Sequence, residues 1–357
     1  MIAVGAINEP AQAEKILADG KADFVALCRA ITADPNWPSK AAADKADEIR
    51  PCIRCNDCLD TILPGTPMRC RVNFLGGRAS TYKELPARES KKVVVIGAGA
   101  AGMEAARTAY FRGHEVTLIE KASELGGLLI PACEIETKHD LDKLFQWYVR
   151  EMKRLPITVM TDTEATPELV KELSPDAIIV ATGHGDDSQM PRGLKGLDHP
   201  NVITTMDLLS NRVEPQDSIV IGGGFMGWDI SQHIAGKGRK ATIITRYDRE
   251  HIGGTVGFFT RNSLFELLDK MGVEIRDSVN YREVTDDGVL VETADGTEEL
   301  IPGKCVVIAN GFKVNLDRLN KWQPCADEVY LVGNCIDPAN IMGTTRQANT
   351  AVYKIGA

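Results

Sequence analysis

Two glycine turns constrain this chain more than any other feature. The run Lys92-Val-Val-Val-Ile-Gly97-Ala-Gly99-Ala-Ala-Gly102 is matched by Ser218-Ile-Val-Ile-Gly222-Gly-Gly224-Phe-Met-Gly227. In each, a short apolar strand runs into Gly-x-Gly-x-x-Gly, a helical stretch follows, and a second strand closes the unit at 115–119 or 240–244. The first glycine permits a tight turn, the second lets backbone N–H groups approach a pyrophosphate, and the third lets helix and strand pack closely. The helix N-terminus adds a favourable field for the anion. Glu120 ends the second strand of the first unit, where a carboxylate accepts hydrogen bonds from ribose hydroxyls. Thr245 holds the equivalent place in the second unit, and Arg246 follows it. A carboxylate there would repel a 2′-phosphate and an arginine would bind one, so the pair favours NADPH over NADH. Arg246 is equally readable as a solvated surface charge. The expected fold is α/β, with two Rossmann-like dinucleotide-binding domains, and two nucleotides in one chain imply hydride transfer between a nicotinamide and a flavin.

Nine cysteines are unusual in a chain whose start shows no basic leader. The chain is expected to be cytoplasmic, where thiols stay reduced and grouped cysteines bind metal. Four of them form Cys52-x2-Cys55-x2-Cys58-x11-Cys70. Three closely spaced thiolates with a fourth further on suit the corners of a [4Fe–4S] cluster. A structural zinc site is the alternative, although zinc favours two separated Cys-x2-Cys pairs. Cys133, Cys305, Cys325 and Cys335 are scattered and read as core residues, and the six histidines show no ligand spacing. No dithiol pair lies near either glycine turn, which argues against a disulfide reductase. With 50 acidic against 41 basic residues, the net charge of −9 argues against a nucleic-acid partner. The longest apolar run, 93–103, is too short and glycine-rich to span a membrane.

Ahead of these motifs, residues 1–40 read as one βαβ unit: a buried strand at 2–5, a helix at 10–19 and a second buried strand at 23–27. Residues 51–75 show little regular structure beyond their cysteines, and Tyr82 to Lys92 reads as a polar linker.

The runs Ile178-Ile-Val-Ala-Thr182-Gly183 and Val306-Val-Ile-Ala-Asn-Gly311, with the late Val329-Tyr-Leu-Val-Gly333-Asn334, resemble the two-dinucleotide flavoprotein superfamily of glutathione and thioredoxin reductases. The resemblance implies FAD contacts at Gly97, Gly99, Ala101, Gly102, Glu120, Gly127, Leu128, Thr182, Gly183, Gly333 and Asn334. It implies NAD(P)H contacts at Gly222, Gly224, Gly227, Arg246 and Gly311. Asn334 departs from the family, which has an acid there on the ribityl chain; an amide still hydrogen-bonds a hydroxyl.

The segments Ala22-Asp-Phe-Val-Ala-Leu-Cys-Arg29, Ala33-Asp-Pro-Asn-Trp-Pro38, Arg50-Pro-Cys-Ile-Arg-Cys-Asn56 and Cys70-Arg-Val-Asn73 narrow the resemblance. With both glycine turns they look like the C-terminal part of the 2,4-dienoyl-CoA reductase, 2-enoate reductase and trimethylamine dehydrogenase group. This group joins an old yellow enzyme barrel to a flavoprotein reductase. It implies metal ligation by Cys52, Cys55, Cys58 and Cys70, and an FMN-phosphate contact at Arg29. The third cysteine departs from the group by following the second after two residues instead of three.

The resemblance also implies domains at 1–40 (end of a (β/α)8 barrel), 41–90 (iron–sulfur segment and linker), 91–205 plus 310–357 (FAD) and 206–309 (NAD(P)H). A complete barrel needs about 250 residues, so a truncated chain or a split subunit is expected, with FMN and an N-terminal barrel partner supplied from elsewhere. The chain is also expected to stop inside its last helix, at Ala357. The implied electron path runs from NAD(P)H through FAD and the cluster to FMN and a conjugated C=C bond, with no catalytic side chain required of this chain. Two other readings stay open. One is an amine dehydrogenase relative holding ADP in the FAD place. The other is an inactive nucleotide-binding scaffold. Substrate and oligomeric state are not legible.

Overall fold

The computed structural model describes residues 1–82, 86–184, 188–254, 256–314, 316, 319–338 and 340–357. The chain divides into two compact units: Met1–Ile130 with Asp140–Gly185 and Val314–Ala357, and Pro131–His139 with Asp186–Lys313.

The first unit is built on a five-stranded parallel sheet in the order Glu328–Leu331, Ala177–Val180, Lys92–Ile96, Glu115–Ile119, Thr158–Met160. The two central strands are buried along almost their whole length, as parallel strands covered on both faces must be. One face rests on Val170, Trp322 and Ala165. The helix Ala100–Phe111 follows the first glycine turn and buries Ala101, Gly102, Ala105, Ala106 and Ala109. That run of small side chains lets it lie close to its neighbours, including the helix Ile341–Lys354.

The second unit repeats the plan with the order Glu274–Arg276, Ala241–Ile244, Ser218–Ile221, Cys305–Ile308, Val202–Thr204, again all parallel. The helix Phe225–Gly236 covers one face through Trp228, Ile230 and Ile234. An antiparallel meander, Asn280–Thr285, Gly288–Glu292 and Glu298–Pro302, covers the other with Tyr281, Val289, Val291 and Ile301. Both units have the α/β, Rossmann-like form expected, with each glycine turn leaving a central strand where the connection order reverses.

Two expectations need correction, and two gain detail. The strands Ile2–Val4 and Phe24–Ala26 do pair in parallel, but they are not buried: Ile2, Val4 and Phe24 are 64%, 75% and 67% exposed. Among the described residues no third strand joins them. Only one side is covered, by a small core of Ile7, Ala13, Ala30, Trp37 and Ile49. The cysteine segment has little regular structure, as expected, apart from a short helix, Asp57–Ile62, that carries Cys58. That helix starts after Arg54 and Asn56 turn into left-handed backbone, and the Arg71 fork holds Asp57 at 2.5 and 2.7 Å. The polar stretch 82–92 lies partly outside the described residues, at 83–85. Its described remainder is held to the first unit, Ala87 N–H by the Arg112 carbonyl and Lys91 by Glu328. Lastly, the final helix does not run on to Ala357. It finishes at Lys354, and the Gly356 carbonyl accepts a hydrogen bond from Arg88 N–H at 3.0 Å.

Candidate functional site

The first glycine turn follows Ile96. Gly97 has φ +98°, and a Cβ there would stand 2.6 Å from the Ala181 carbonyl oxygen. Gly102 is tighter still: its Cβ would fall 1.8 Å from the Gly97 oxygen. Gly99 caps the helix N-terminus and faces open space, with one atom as near as 4.0 Å, the Gly126 oxygen. Two of the glycines are therefore closed by the protein itself, and the middle one is open to a ligand. Glu120 is buried, and its carboxylate accepts the Ala98 N–H at 2.7 Å and the Ala122 N–H at 2.9 Å. The acid thus braces the turn.

The other expected residues reach the same carboxyl edge of the sheet. Thr182 is exposed after Val180, and Gly183 has φ +68° with open space beside it. Gly333 ends the outer strand at φ +73°; its N–H donates to Gln347 Oε1 at 2.7 Å, and a Cβ would meet Ala101 at 2.8 Å. Asn334 is half-buried in the turn Gly333–Cys335. A Cβ at Gly127, φ +52°, would stand 3.2 Å from Gly99 Cα, and half-buried Leu128 follows it.

The second turn repeats the geometry. Gly222 has φ +136° against the Ala309 oxygen at 2.4 Å, Gly227 would clash with the Gly222 oxygen at 1.9 Å, and Gly224 has nothing within 4 Å. Thr245 is buried, and its hydroxyl leaves only 2.7 Å for a Cβ at Gly223. Arg246 is exposed, lies 4.5 Å over the Tyr281 ring and donates to the Arg192 carbonyl. Gly311 has φ +90°, and its carbonyl accepts the Gln189 N–H at 2.8 Å. Arg249, 4.3 Å over Phe265, was not singled out in the sequence. Nor was Arg261, whose guanidinium donates to the Ile252 and Glu250 carbonyls at 2.8 Å each. Neither carried a sequence signal: Arg249 sits between Asp248 and Glu250, and Arg261 lies in the later helix Phe258–Lys270.

The cysteines lie in the first unit, all four half-buried and free of disulfides. Burial pushes the Cys52, Cys58 and Cys70 thiols above the ordinary thiol value, and Cys55 up to about 12. Backbone N–H groups of Arg54, Asp57, Leu59 and Val72 oppose this by favouring the thiolates of Cys52, Cys55, Cys58 and Cys70. Arg29, Arg71 and Arg50 act in the same sense on Cys52 and Cys58, on Cys55 and on Cys70. Among the described residues, no three Cys, His, Asp or Glu side chains are grouped to hold one metal ion. Arg29 donates to Asn56 Oδ1 at 2.7 Å and so faces the cysteine loop. Of the remaining cysteines, Cys305, Cys325 and Cys335 are buried and Cys133 half-buried. Among the described residues no helix is long and apolar enough to cross a membrane.

A family profile described as pyridine nucleotide-disulphide oxidoreductase matches residues 91–354. An NADH oxidase of Thermoanaerobacter brockii is 37% identical over 352 residues, covering 94% of this chain and 53% of its own. A cinnamate reductase of Clostridium sporogenes is 31% identical and covers 96% of this chain and 51% of its own. The solved complex of 2-naphthoyl-CoA reductase with 2-naphthoyl-CoA superposes with a TM-score of 0.92 at 30% identity, over 99% of this chain and 54% of that one. This chain spans about half the length of each of these three relatives.

Proposed function

The chain belongs to the pyridine nucleotide-disulphide oxidoreductase family, and on that premise we propose that its first unit holds FAD, its second NAD(P)H and its four cysteines a [4Fe–4S] cluster. As an NAD(P)H–flavin oxidoreductase module it resembles those of the enoate and CoA-thioester reductases. One observation carries the nucleotide assignment: each unit leaves its middle glycine open at a helix N-terminus while its own backbone closes off the third. That cradle fits a pyrophosphate. The cysteine loop fits a cluster because all four sulfurs are supported by backbone N–H groups and bordered by arginines, which offset the negative charge of thiolate-held iron and sulfide.

When bound, FAD accepts the two electrons of a hydride and gives them up singly, so one NAD(P)H yields two single electrons and one proton. The residues of this chain bind and orient. The turn at 97–102 presents N–H groups to a pyrophosphate, Glu120 braces that turn and accepts from a ribose, and Cys52, Cys55, Cys58 and Cys70 hold the one-electron carrier. No pair among the scattered cysteines takes part. The relatives are named for cinnamate and 2-naphthoyl-CoA reduction. Accordingly, the whole protein is read as reducing a conjugated C=C bond on an FMN barrel, part of a longer cytoplasmic chain or a partner subunit. The exposed Ile2, Val4 and Phe24 support such a neighbour.

The test is an absorption spectrum of the anaerobically purified chain before and after NADPH. Visible flavin bands that bleach, above a broad iron–sulfur absorbance, uphold the proposal. A second reading, an amine dehydrogenase relative holding ADP, is favoured by Asn334 standing in place of an acid. A chain that lacks the flavin bands and releases ADP would establish it instead.

The cofactor preference has its own test. Arg246 is stacked on Tyr281 beside Thr245, which supports a role for it at a 2′-phosphate. An Arg246→Ala variant is expected to raise KM for NADPH about tenfold and leave KM for NADH unchanged, the weight of one charge-assisted contact. Equal changes for both nucleotides would reduce Arg246 to a surface charge. One relative is named for NADH, so the comparison is decisive for this chain.

A further inference from the structure

Glu104 is a carboxylate where a helix of small side chains has no packing need for one. It lies two residues past Gly102, and it is 1% exposed. Three donors surround it. Tyr148 Oη donates at 3.1 Å, Asn349 Nδ2 donates at 3.1 Å, and Arg50 Nη2 stands 3.5 Å from both carboxylate oxygens. Each partner is itself buried, Arg50 at 7%. Arg50 precedes the first cysteine, donates from Nη1 to the Val72 carbonyl at 2.7 Å, and lies 4.9 Å over the Trp147 ring. Its own backbone N–H is held by Asp34, which Lys40 pairs at 2.7 Å. Beside this group is a cavity of about 20 Å³, lined in part by Arg50, Asn73, Glu104, Arg107, Thr108 and Asn349, enough for one water between polar walls.

A buried ion pair is weak support for stability, because desolvation offsets most of its attraction. What this pair does is join two functional segments. Arg50 and Val72 bracket the cysteine loop, and Val72 N–H in turn supports the Cys70 sulfur. Glu104 is fixed to the helix whose N-terminus forms the glycine cradle. Through Arg50, one carboxylate therefore holds the cysteine loop against the nucleotide helix and places a negative charge behind the arginine that faces Cys70.

We propose that Glu104 is a positioning residue for electron transfer: by holding and partly neutralising Arg50, it sets how readily a cluster on the four cysteines accepts an electron. The inference deepens the reading above and rests on it. Reduction adds one negative charge to the cluster. The Glu104 charge opposes that addition, and an unneutralised Arg50 would assist it.

The experiment is an EPR-monitored redox titration of the full chain with its cluster in place. In Glu104→Gln, the reduced-to-oxidised ratio of the cluster at fixed ambient potential is expected to rise about tenfold, or 59 mV for one electron, the order of effect of one charge in a partly buried site. Glu104→Asp keeps the charge and is expected to stay within about twofold of the parent, as rescue by the conservative variant. Equal shifts in both variants would mean that packing, and not charge, is responsible, and would overturn the proposal. So would an unmoved ratio in Glu104→Gln. Should that variant lose its cluster, Tyr148→Phe probes the same carboxylate. Loss of the phenolic donor leaves the charge less screened, and the ratio is expected to fall about two- to threefold; no change there overturns the role. A parent chain without any cluster signal defeats the cluster reading itself, which separates the two failures.

Discussion

Gly102→Ala is expected to lose about 3 kcal/mol of stability, while Gly99→Ala melts with the flavin-free parent and fails only to retain flavin. The two glycines are three positions apart in one motif, and their surroundings differ in kind. A methyl at 102 would stand 1.8 Å from the Gly97 carbonyl oxygen, a backbone atom that cannot swing aside. Helix and turn would have to separate, and forcing a methyl into such a contact costs about 1–3 kcal/mol or more. In a unit of this size, 3 kcal/mol lowers Tm by about 6–12 °C. Flavin is lost as well, since the cradle opens. At 99 the backbone is extended before the helix, at φ −72° and ψ −173°, which any residue adopts. Its nearest neighbour would be 4.0 Å away. Alanine is then harmless to the empty protein and occupies the space where the pyrophosphate approaches. Thermal melts with flavin assays on both variants decide the matter. A Gly99→Ala chain that keeps full flavin would show that the first unit does not hold its nucleotide at this turn. The second unit offers the same contrast, Gly227 closed at 1.9 Å and Gly224 open.

That contrast also explains what the sequence could reveal. A tight turn, a close approach and a helix contact each demand glycine for local backbone reasons, so Gly97, Gly99, Gly102 and their partners in the second unit are readable without knowing the fold. Glu120 and Thr245 are readable because each ends a strand at a fixed distance from its turn. The cysteines are readable because ligand spacing is also local. Burial is different. The strands Ile2–Val4 and Phe24–Ala26 have the apolar composition of buried strands, but composition states what a strand would bury against, not whether that neighbour is present. The meander from Asn280 to Pro302 was missed because its half-covered strands carry charged residues such as Arg282, Glu283 and Glu292 between apolar ones. Glu104 was invisible for another reason. Its partners Arg50, Tyr148 and Asn349 come from three separate stretches of chain, and only the folded unit brings them to one carboxylate.

Cys55→Ser is expected to remove the cluster and stop single-electron output, by more than about 100-fold, while hydride transfer from NADPH to flavin continues. Cys55 has the thiol that burial raises furthest, to about 12. An unligated thiol there stays protonated at neutral pH, so metal binding must displace a proton. Serine cannot follow, because its hydroxyl is far harder to ionise than a thiol and offers a poor ligand to iron. Cys52, Cys58 and Cys70 would be left with three corners of a cubane, and Arg50 and Arg71 would keep only their carboxylate partners Glu104 and Asp57. The loss should therefore appear as missing iron and missing EPR signal, with the flavin bands still bleaching when NADPH is added. This separation follows from the fold, since the glycine cradles and the cysteine loop are built from different residues. Metal analysis of the parent chain sets the terms. About four irons per chain uphold the cluster, whereas one zinc per chain, lost in Cys55→Ser together with a fall in Tm but with no change in electron output, would make the loop a structural zinc site.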